Sequence, residues 1–355
     1  MSDFAVYSVN EVYNRGNALF EPAAYAIGDD LGAPFRALRR SLEARGHRLD
    51  TPDMRPFEAF DGFLFIDRPE PSDPFIARAA ASGKPLYLVL FECEIIKSRN
   101  WDPAGHGLFR RVFTWSPHLT GERYRHYFWP NPLDDREPGS FDRERFCVLM
   151  ASNKYKRDPR ELYSERARTI RWFAAHHPQD LDLYGPGWGK DRSKALKFLA
   201  YKALREPLGW ARHRQALVSA EDLRRVYRGV APSKRAVMRN YRFSICYENA
   251  RSIAGYVTEK IFDSFLAGVV PVYLGWEDVT DWIDGSTFID RRDFADHDEL
   301  YRFLSTMDRR TYEAYLEAIG VFLDSPQGRR FDVEAFAGTV ADAMAGQAPE
   351  APQQI

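Results

Sequence analysis

The chain has 355 residues, of which 45% are hydrophobic and 14% aromatic, with 50 basic and 51 acidic side chains. This length exceeds what one hydrophobic core usually serves, so two domains are expected. The balanced charge argues against a nucleic-acid-binding protein and against a disordered chain. Three widely spaced cysteines, Cys93, Cys147 and Cys246, form no C-x-x-C pair, which favours a reducing compartment.

The sequence carries no signal for export or membrane insertion. The first residues, MSDFAVYSVNEVYNRG, lack a basic region followed by an apolar one. No apolar run approaches the roughly 20 residues that cross a bilayer. We therefore expect a cytoplasmic protein, with at most peripheral contact at the inner face of the cytoplasmic membrane.

Strand and helix patterns alternate in the first part of the chain. Residues 4–9, 62–66 and 87–92 predict strands, while residues 34–45 and 74–82 predict helices. Gly46 is the expected stop of the first helix. This alternation is typical of a parallel sheet covered by helices.

The pattern resumes after a charged, proline-rich stretch. Strands are predicted over residues 146–152, 181–185 and 241–249, and a helix over residues 160–175. The strongest unit is YVTEKIFDSFLAGVVPVYLG, residues 256–275, which predicts a helix closed by Gly268 and then an apolar strand.

These patterns predict an N-terminal Rossmann-like domain over residues 1–143 and a second domain over residues 144–325. Residues 326–345 predict a C-terminal helix that packs back on the first domain, and residues 346–355 predict a disordered tail.

Two charged residues stand in the first turn of the helix expected near Tyr256. Glu259 and Lys260 lie off its apolar stripe and at the carboxyl ends of the strands, where open sheets bind ligands. A lysine in a first turn opposes the helix dipole by about 0.3 to 1 kcal/mol, so its presence suggests a bound anion such as a diphosphate. The alternative is that both are solvated surface residues.

The run YRFSICYENARSIAGYVTEKIFDSFLAGVVPVYLG, residues 241–275, resembles the signature of the α-1,3/4-fucosyltransferases of glycosyltransferase family 10. That signature joins an aromatic-Glu-Asn to Tyr-Val/Ile-Thr-Glu-Lys and a Val-Pro-Val strand. The run departs from it at Tyr247, where phenylalanine is usual, and at residues 251–253. The resemblance favours a bacterial-type member.

Weaker similarities flank this run. ASN at 151–153, followed by Arg168 and LDLYG, is similar to the family stretch that supplies a phosphate-binding arginine, with Arg166 and Arg171 as alternatives. Tyr184 and Gly185 of LDLYG are weaker donor-site candidates. In the first domain, LFECE and FTW resemble a family pair of motifs, with Cys93 in place of serine.

The resemblance implies an α/β fold of the GT-B type, two Rossmann-like domains facing across a cleft. It implies GDP-fucose as the donor, bound in the second domain without a metal ion. The implied donor contacts are Arg168, Glu248, Asn249, Tyr256, Thr258 and Lys260.

Catalysis by such a protein requires a carboxylate that takes the proton of the acceptor hydroxyl. Glu92, expected at the carboxyl end of a parallel strand, is the candidate base, and Glu94 is the alternative. Glu259 is the candidate acid near the ribose or the sugar cation. No DxD motif is visible, and the Asp-Asp pairs at 29–30 and 134–135 are interpreted as loop or cap residues.

The expected function is inverting transfer of L-fucose from GDP-fucose to a glycan hydroxyl, O3 of GlcNAc or Glc. The alternatives are transfer from another GDP- or UDP-sugar, or non-catalytic binding of nucleotide sugars or glycans. Basic and apolar residues alternate over residues 190–214, which favours contact with an anionic membrane. A pair of ordinary surface helices is the alternative there.

Overall fold

A computed structural model describes residues 1–22, 30–188 and 218–346. The predicted basic segment 190–214 and the tail after Gly346 lie outside these ranges, as does Asp29. The chain divides into two compact units. The first comprises Met1–Asp134, Ala254–Tyr256 and the residues from Pro326 onward, and the second comprises Asp135–Ile253 and Val257–Ser325.

The described ranges contain twelve strands and ten α-helices, numbered here in chain order. The strands are β1 (Asp3–Ser8), β2 (Arg48–Asp50), β3 (Gly62–Ile66), β4 (Leu86–Val89), β5 (Arg111–Thr114), β6 (Tyr124–His126), β7 (Arg145–Met150), β8 (Leu181–Tyr184), β9 (Tyr227–Gly229), β10 (Tyr241–Tyr247), β11 (Val270–Leu274) and β12 (Ile289–Asp290). The helices are α1 (Ala33–Ala44), α2 (Pro74–Ala81), α3 (Tyr163–His176), α4 (Ala220–Val226), α5 (Lys234–Met238), α6 (Glu259–Leu266), α7 (His297–Thr306), α8 (Arg309–Asp324), α9 (Pro326–Arg329) and α10 (Val333–Ala345).

The first unit is built on a parallel sheet of six strands in the order β2-β1-β3-β4-β5-β6. Its central strands β1, β3 and β4 are largely buried on both faces, as parallel sheets require when helices cover them. Fully buried core side chains include Phe63, Phe65, Leu88 and Val112. Helix α10 returns to this unit and lies against α1, where Arg45 contacts Asp342 at 2.5 Å.

The strand predicted over residues 87–92 is shorter in the structure and ends at Val89. The Leu90 amide still donates to Phe113 at 2.9 Å, but the next backbone groups bond to side chains rather than to a neighbouring strand. The Cys93 carbonyl then accepts from the amides of Ile96 and Lys97 and closes a turn. Glu92 and Glu94 therefore both lie beyond the end of this strand.

The second unit is built on a parallel sheet in the order β12-β11-β10-β7-β8-β9. Counted from β7, this is the Rossmann order 3-2-1-4-5-6, read from the opposite edge. Its main core packs one face of the central strands against α3, α7 and α8, and includes Leu149, Phe173, Phe243 and Val272. The predicted class, α/β with two Rossmann-like sheets, is confirmed.

The helix predicted to begin near Tyr256 begins at Glu259, with Thr258 as the capping residue in extended conformation. The Thr258 amide donates to the buried carboxylate of Glu248, which fixes it outside the helix. The helix ends at Leu266 and is closed, as predicted, by Gly268, whose φ of +63° is the left-handed conformation that favours glycine.

Among the described helices, none combines the length and the apolar character needed to cross a bilayer.

Gly268 also lies against another backbone segment of the second unit. A Cβ atom there would fall 2.7 Å from the Glu137 carbonyl oxygen and 2.7 Å from the Gly139 nitrogen. We expect Gly268→Ala to lower the free energy of unfolding by about 2 kcal/mol or more, because left-handed strain adds to this clash.

The matched control is Gly320→Ala, inside α8, where an added Cβ meets no atom within 4 Å. It should stabilise the protein by about 0.5 to 1 kcal/mol. Urea unfolding measures both, and equal effects of the two variants would contradict the role given to Gly268.

Candidate functional site

The topology of the second sheet identifies where a ligand can bind. The strand order reverses between β7 and β10, and open α/β sheets bind ligands at the carboxyl ends of the strands at such a point. The chain places Ala151–Asn153 after β7 and Glu248 with Asn249 after β10. Both segments were singled out in the sequence.

Glu248 is fully buried directly after β10. Its amide donates to Leu274 at 2.8 Å, which extends the pairing of β10 with β11. Its carboxylate accepts from the Thr258 amide at 2.8 Å and from the Thr258 hydroxyl at 2.8 and 3.0 Å. The side chain of Glu248 therefore ties the end of a strand to the start of α6, ten residues later in the sequence.

Lys260 contacts both Glu248 and Thr258 and is the partly exposed residue of this group. Its Nζ is 3.2 Å from Glu248 Oε2, 2.9 Å from Thr258 Oγ1 and 3.4 Å from Glu259 Oε1, and its side chain is 21% exposed. Burial opposes its charge, but Glu248 and Glu259 together raise the pKa of Lys260 above its usual value. The ammonium group is thus a permanent positive charge at the helix start.

Further charged residues of both signs lie beside Lys260 along α6. Burial disfavours the charge of Glu259, but Lys260 and Lys234 outweigh it and lower the pKa of Glu259 to about 2. Lys234 Nζ lies 2.7 Å from Asp263 Oδ2. Glu259 is therefore an anion at neutral pH, suited to accept hydrogen bonds from ribose hydroxyls or to face a developing sugar cation.

The structure separates the three candidate arginines of α3. Arg166 is 5% exposed, and its guanidinium donates to the carbonyls of Tyr247 and Glu248 at 2.6 and 2.7 Å. Arg168 is 39% exposed and lies 2.5 Å from Glu165. Arg171 is half-buried on the same helix. Arg166 thus supports the end of β10, while Arg168 has the exposure that contact with a phosphate needs.

The remaining donor-site candidates of the second unit lie at strand ends. Asn249 accepts through Oδ1 from Arg166 at 3.2 Å. The Tyr184 hydroxyl lies 3.4 Å from the Tyr241 hydroxyl. A Cβ on Gly185 would fall 2.1 Å from the Ala151 carbonyl oxygen, so glycine here permits a close approach of two backbone segments that follow β7 and β8.

Tyr256 belongs by its contacts to the first unit, whereas Glu259 and Lys260 belong to the second. Its ring is 1% exposed and lies 5.0 Å from the ring of Trp115 and 6.2 Å from that of Trp129, centroid to centroid. Its hydroxyl is hydrogen-bonded to the buried thiol of Cys93. The structure thus places Tyr256 in an aromatic cluster of the first unit.

Glu92 and Glu94 both lie in the segment that follows β4 and both are half-buried. The Glu92 amide donates to Asp67 Oδ1 at 3.2 Å, and its carbonyl accepts from Asn100 and Trp101 at 3.1 and 3.0 Å. Lys97 lies near Glu92 and Asp67. Burial lowers the pKa of Lys97, and the charges of these two carboxylates offset only part of that lowering.

Residues that the sequence pattern did not indicate complete these arrangements. Lys234 and Asp263 extend the charges at α6, and no sequence pattern distinguishes them from surface residues. Asp67 had a usable signal, since an acidic residue directly after a buried strand stands where parallel sheets bind ligands.

His297 is a further residue brought to this edge of the second sheet. Its Nε2 lies 2.9 Å from Thr169 Oγ1. Burial and the charge of Arg291 lower the pKa of His297 to about 4. It is therefore neutral at physiological pH.

In the ranges that the structure describes, no group of three or more His, Cys, Asp or Glu side chains could hold a metal ion. Metal-independent action stays a prediction.

Residues 221–318 match a family model described as glycosyltransferase family 10 (fucosyltransferase), C-terminal part. GDP-fucose protein O-fucosyltransferase 3 of Gallus gallus is 37% identical over 84 residues, which are 23% of this chain and 18% of that protein. Alpha-(1,3)-fucosyltransferase FucT of Helicobacter pylori is 30% identical over 87 residues, 24% of this chain and 18% of that protein. The chain thus matches less than a fifth of the length of these curated relatives.

A crystal structure of an α1,3-fucosyltransferase with GDP-fucose is similar over 98% of this chain and 91% of that one, with a TM-score of 0.53 and 15% identity. At this identity the likeness shows the fold alone, and it confirms the GT-B class. The chain is thus similar to a fucosyltransferase in its fold, and residues 221–318 match the family model that the run 241–275 predicted.

The buried pair of Glu248 and Lys260 predicts a specific pattern of stability. Lys260→Met should lower the free energy of unfolding by about 3 kcal/mol, the lower end for breaking a buried pair, because the lysine is 21% exposed. The Glu248→Gln/Lys260→Met double variant should recover more than half of that loss, since no buried charge is then left without a partner. Urea unfolding of the single and double variants tests this, and strictly additive losses would contradict the coupling.

Proposed function

We propose that the protein transfers L-fucose from GDP-fucose to a hydroxyl group of a glycan, O3 of GlcNAc or Glc, with inversion at the anomeric carbon. The observation that carries the proposal is the charged start of α6 at the switch point of the second sheet. There Lys260 presents a permanent positive charge beside a helix N-terminus, in the segment that matches the fucosyltransferase family. The relatives named for GDP-fucose support this donor.

In this proposal Lys260 and Arg168 bind the diphosphate. Positive charge placed where the leaving group becomes more negative lowers the barrier more than it strengthens substrate binding. Glu259, an anion held by two lysines, faces the ribose or the fucosyl cation. Glu248 and Thr258 position Lys260, and Asn249 completes the donor contacts.

Glu92 acts as the general base in this proposal. It removes the proton of the acceptor hydroxyl as that oxygen bonds to the anomeric carbon and the bond to GDP breaks. A general base of this kind contributes about 10²- to 10⁴-fold to the rate. The first unit, which holds Glu92, binds the acceptor, and the second binds the donor.

The acceptor is proposed to be a surface glycan of a bacterial cell. The protein would then act in the cytoplasm and through residues 190–214 at the inner face of the membrane. These features rest on the sequence.

A donor panel tests the sugar and the nucleotide. We expect release of GDP from GDP-fucose in the presence of a GlcNAc- or Glc-terminated glycan, without added metal and with EDTA present. UDP-glucose, UDP-galactose and GDP-mannose serve as comparison donors, because the fold by itself does not fix the sugar. Turnover of one of them with no binding of GDP-fucose would refute the proposed donor.

The base is tested separately. Glu92→Ala should reduce kcat by at least about 10²-fold while the affinity for GDP, measured by calorimetry, stays within about twofold. The matched control is Glu94→Ala, two residues away in the same segment and equally half-buried, which should retain most activity. If Glu94→Ala loses the activity and Glu92→Ala retains it, the two assignments are exchanged. Full activity of both variants would show that neither glutamate of this segment is the general base.

A further inference from the structure

Side chains donate hydrogen bonds to the backbone carbonyls of the segment that carries Glu92. As residues 90–92 leave the sheet, each of their three carbonyls accepts a hydrogen bond from an aromatic side chain. The Tyr127 hydroxyl donates to Leu90 at 2.7 Å, the Trp115 indole to Phe91 at 2.9 Å, and the Trp101 indole to Glu92 at 3.0 Å. Side chains thus satisfy all three carbonyls at the point where the segment leaves the sheet.

The amide side of the same segment is held by one carboxylate oxygen. Asp67 Oδ1 accepts from the amides of Phe91 and Glu92 at 2.8 and 3.2 Å, and from Asn100 Nδ2 at 2.7 Å. Asn100 Nδ2 also lies 3.1 Å from the Glu92 carbonyl oxygen. The peptide groups on both sides of the Glu92 Cα atom are therefore fixed by Asp67, Asn100 and Trp101.

Asp67 occupies an unfavourable position to make these bonds. It is 5% exposed and has a φ of +58°, in the left-handed region. Burial raises the pKa of Asp67, and the charge of Lys97 and the three hydrogen bonds act against that rise. Burial of the carboxylate and the left-handed backbone conformation each cost free energy. Strained residues of this kind concentrate at functional sites.

We propose that Asp67 is a positioning residue for the general base. By accepting the Phe91 and Glu92 amides on one oxygen, it orients the Glu92 carboxylate toward the acceptor hydroxyl, and Asn100 and Trp101 fix the opposite side. Asp67 itself touches no reacting atom. This inference rests on the proposed role of Glu92.

Two substitutions at the same position separate the bond from the backbone conformation. Asp67→Gly removes the oxygen while keeping a residue that adopts the left-handed conformation without strain. Asp67→Asn keeps Oδ1 as an acceptor for both amides and also tolerates that conformation. A displaced base lowers the rate steeply, since a misplacement of about 1 Å can cost roughly 10²-fold.

We expect Asp67→Gly to lower kcat by about 10- to 100-fold, with the KM for GDP-fucose and the affinity for GDP unchanged, and Asp67→Asn to restore most of kcat. The matched control is Asp73→Ala, which also removes a carboxylate that accepts two backbone amides, those of Phe75 and Ile76, at the start of α2. It should reduce thermal stability and leave kcat unchanged. Trp101→Phe, which deletes only the indole donor to Glu92, should lower kcat several-fold and serves if Asp67→Gly does not fold.

Combination with Glu92→Ala decides whether Asp67 acts through the base. In that background, the residual transfer measured over long incubations should be the same with Asp67 or with glycine at position 67. If Asp67→Gly lowers the rate in the Glu92→Ala background by the same factor as it does in the unmodified protein, the inference is overturned and Asp67 has a general structural role. Failure of Asp67→Asn to restore kcat would lead to the same conclusion. If Glu92→Ala is itself fully active, the proposed base fails, which is a different result from either of these.

Discussion

The buried carboxylate of Glu248 is the constraint on which the candidate donor site depends. It follows the last residue of β10, is fully buried, and accepts the amide and hydroxyl of Thr258. Because a carboxylate without partners is costly in a protein interior, these bonds and the charge of Lys260 stabilise one arrangement of strand end and helix start. Lys260 is thereby held at the partly exposed edge of the cluster, beside the amino end of α6, where an anion would be attracted by both.

The first unit also has a buried acidic side chain that accepts backbone hydrogen bonds directly after a strand. Asp67 follows the last residue of β3, is buried, and accepts backbone amides from a segment that follows the neighbouring strand β4. In both units the pairing between parallel strands ends at this edge, so backbone groups there need other partners. A buried acidic side chain directly after a strand supplies them, and it holds the segment that carries a proposed functional residue, Lys260 in one unit and Glu92 in the other.

The local sequence pattern predicted the helix at the candidate donor site. The apolar stripe and Gly268 predicted α6 and its end, and the motif residues Glu248, Thr258, Glu259 and Lys260 do come together. The local pattern did less well where contacts between distant segments decide. Arg166 and Arg168 are two residues apart on one helix, yet one is buried under the end of β10 and the other is exposed.

The sequence by itself determined the class of fold, because strand and helix periodicities are written in neighbouring residues, and it determined the family resemblance of residues 241–275. Only the tertiary structure decided the length of β4 and the contacts of Tyr256. The strand pattern continues to Glu92, but the strand ends at Val89, and Trp101, Trp115 and Tyr127 donate to the carbonyls of residues 90–92. Tyr256 stands three residues before Glu259 yet packs against Trp115 and Trp129. Such outcomes depend on donors that are remote in sequence and meet only when the chain has folded.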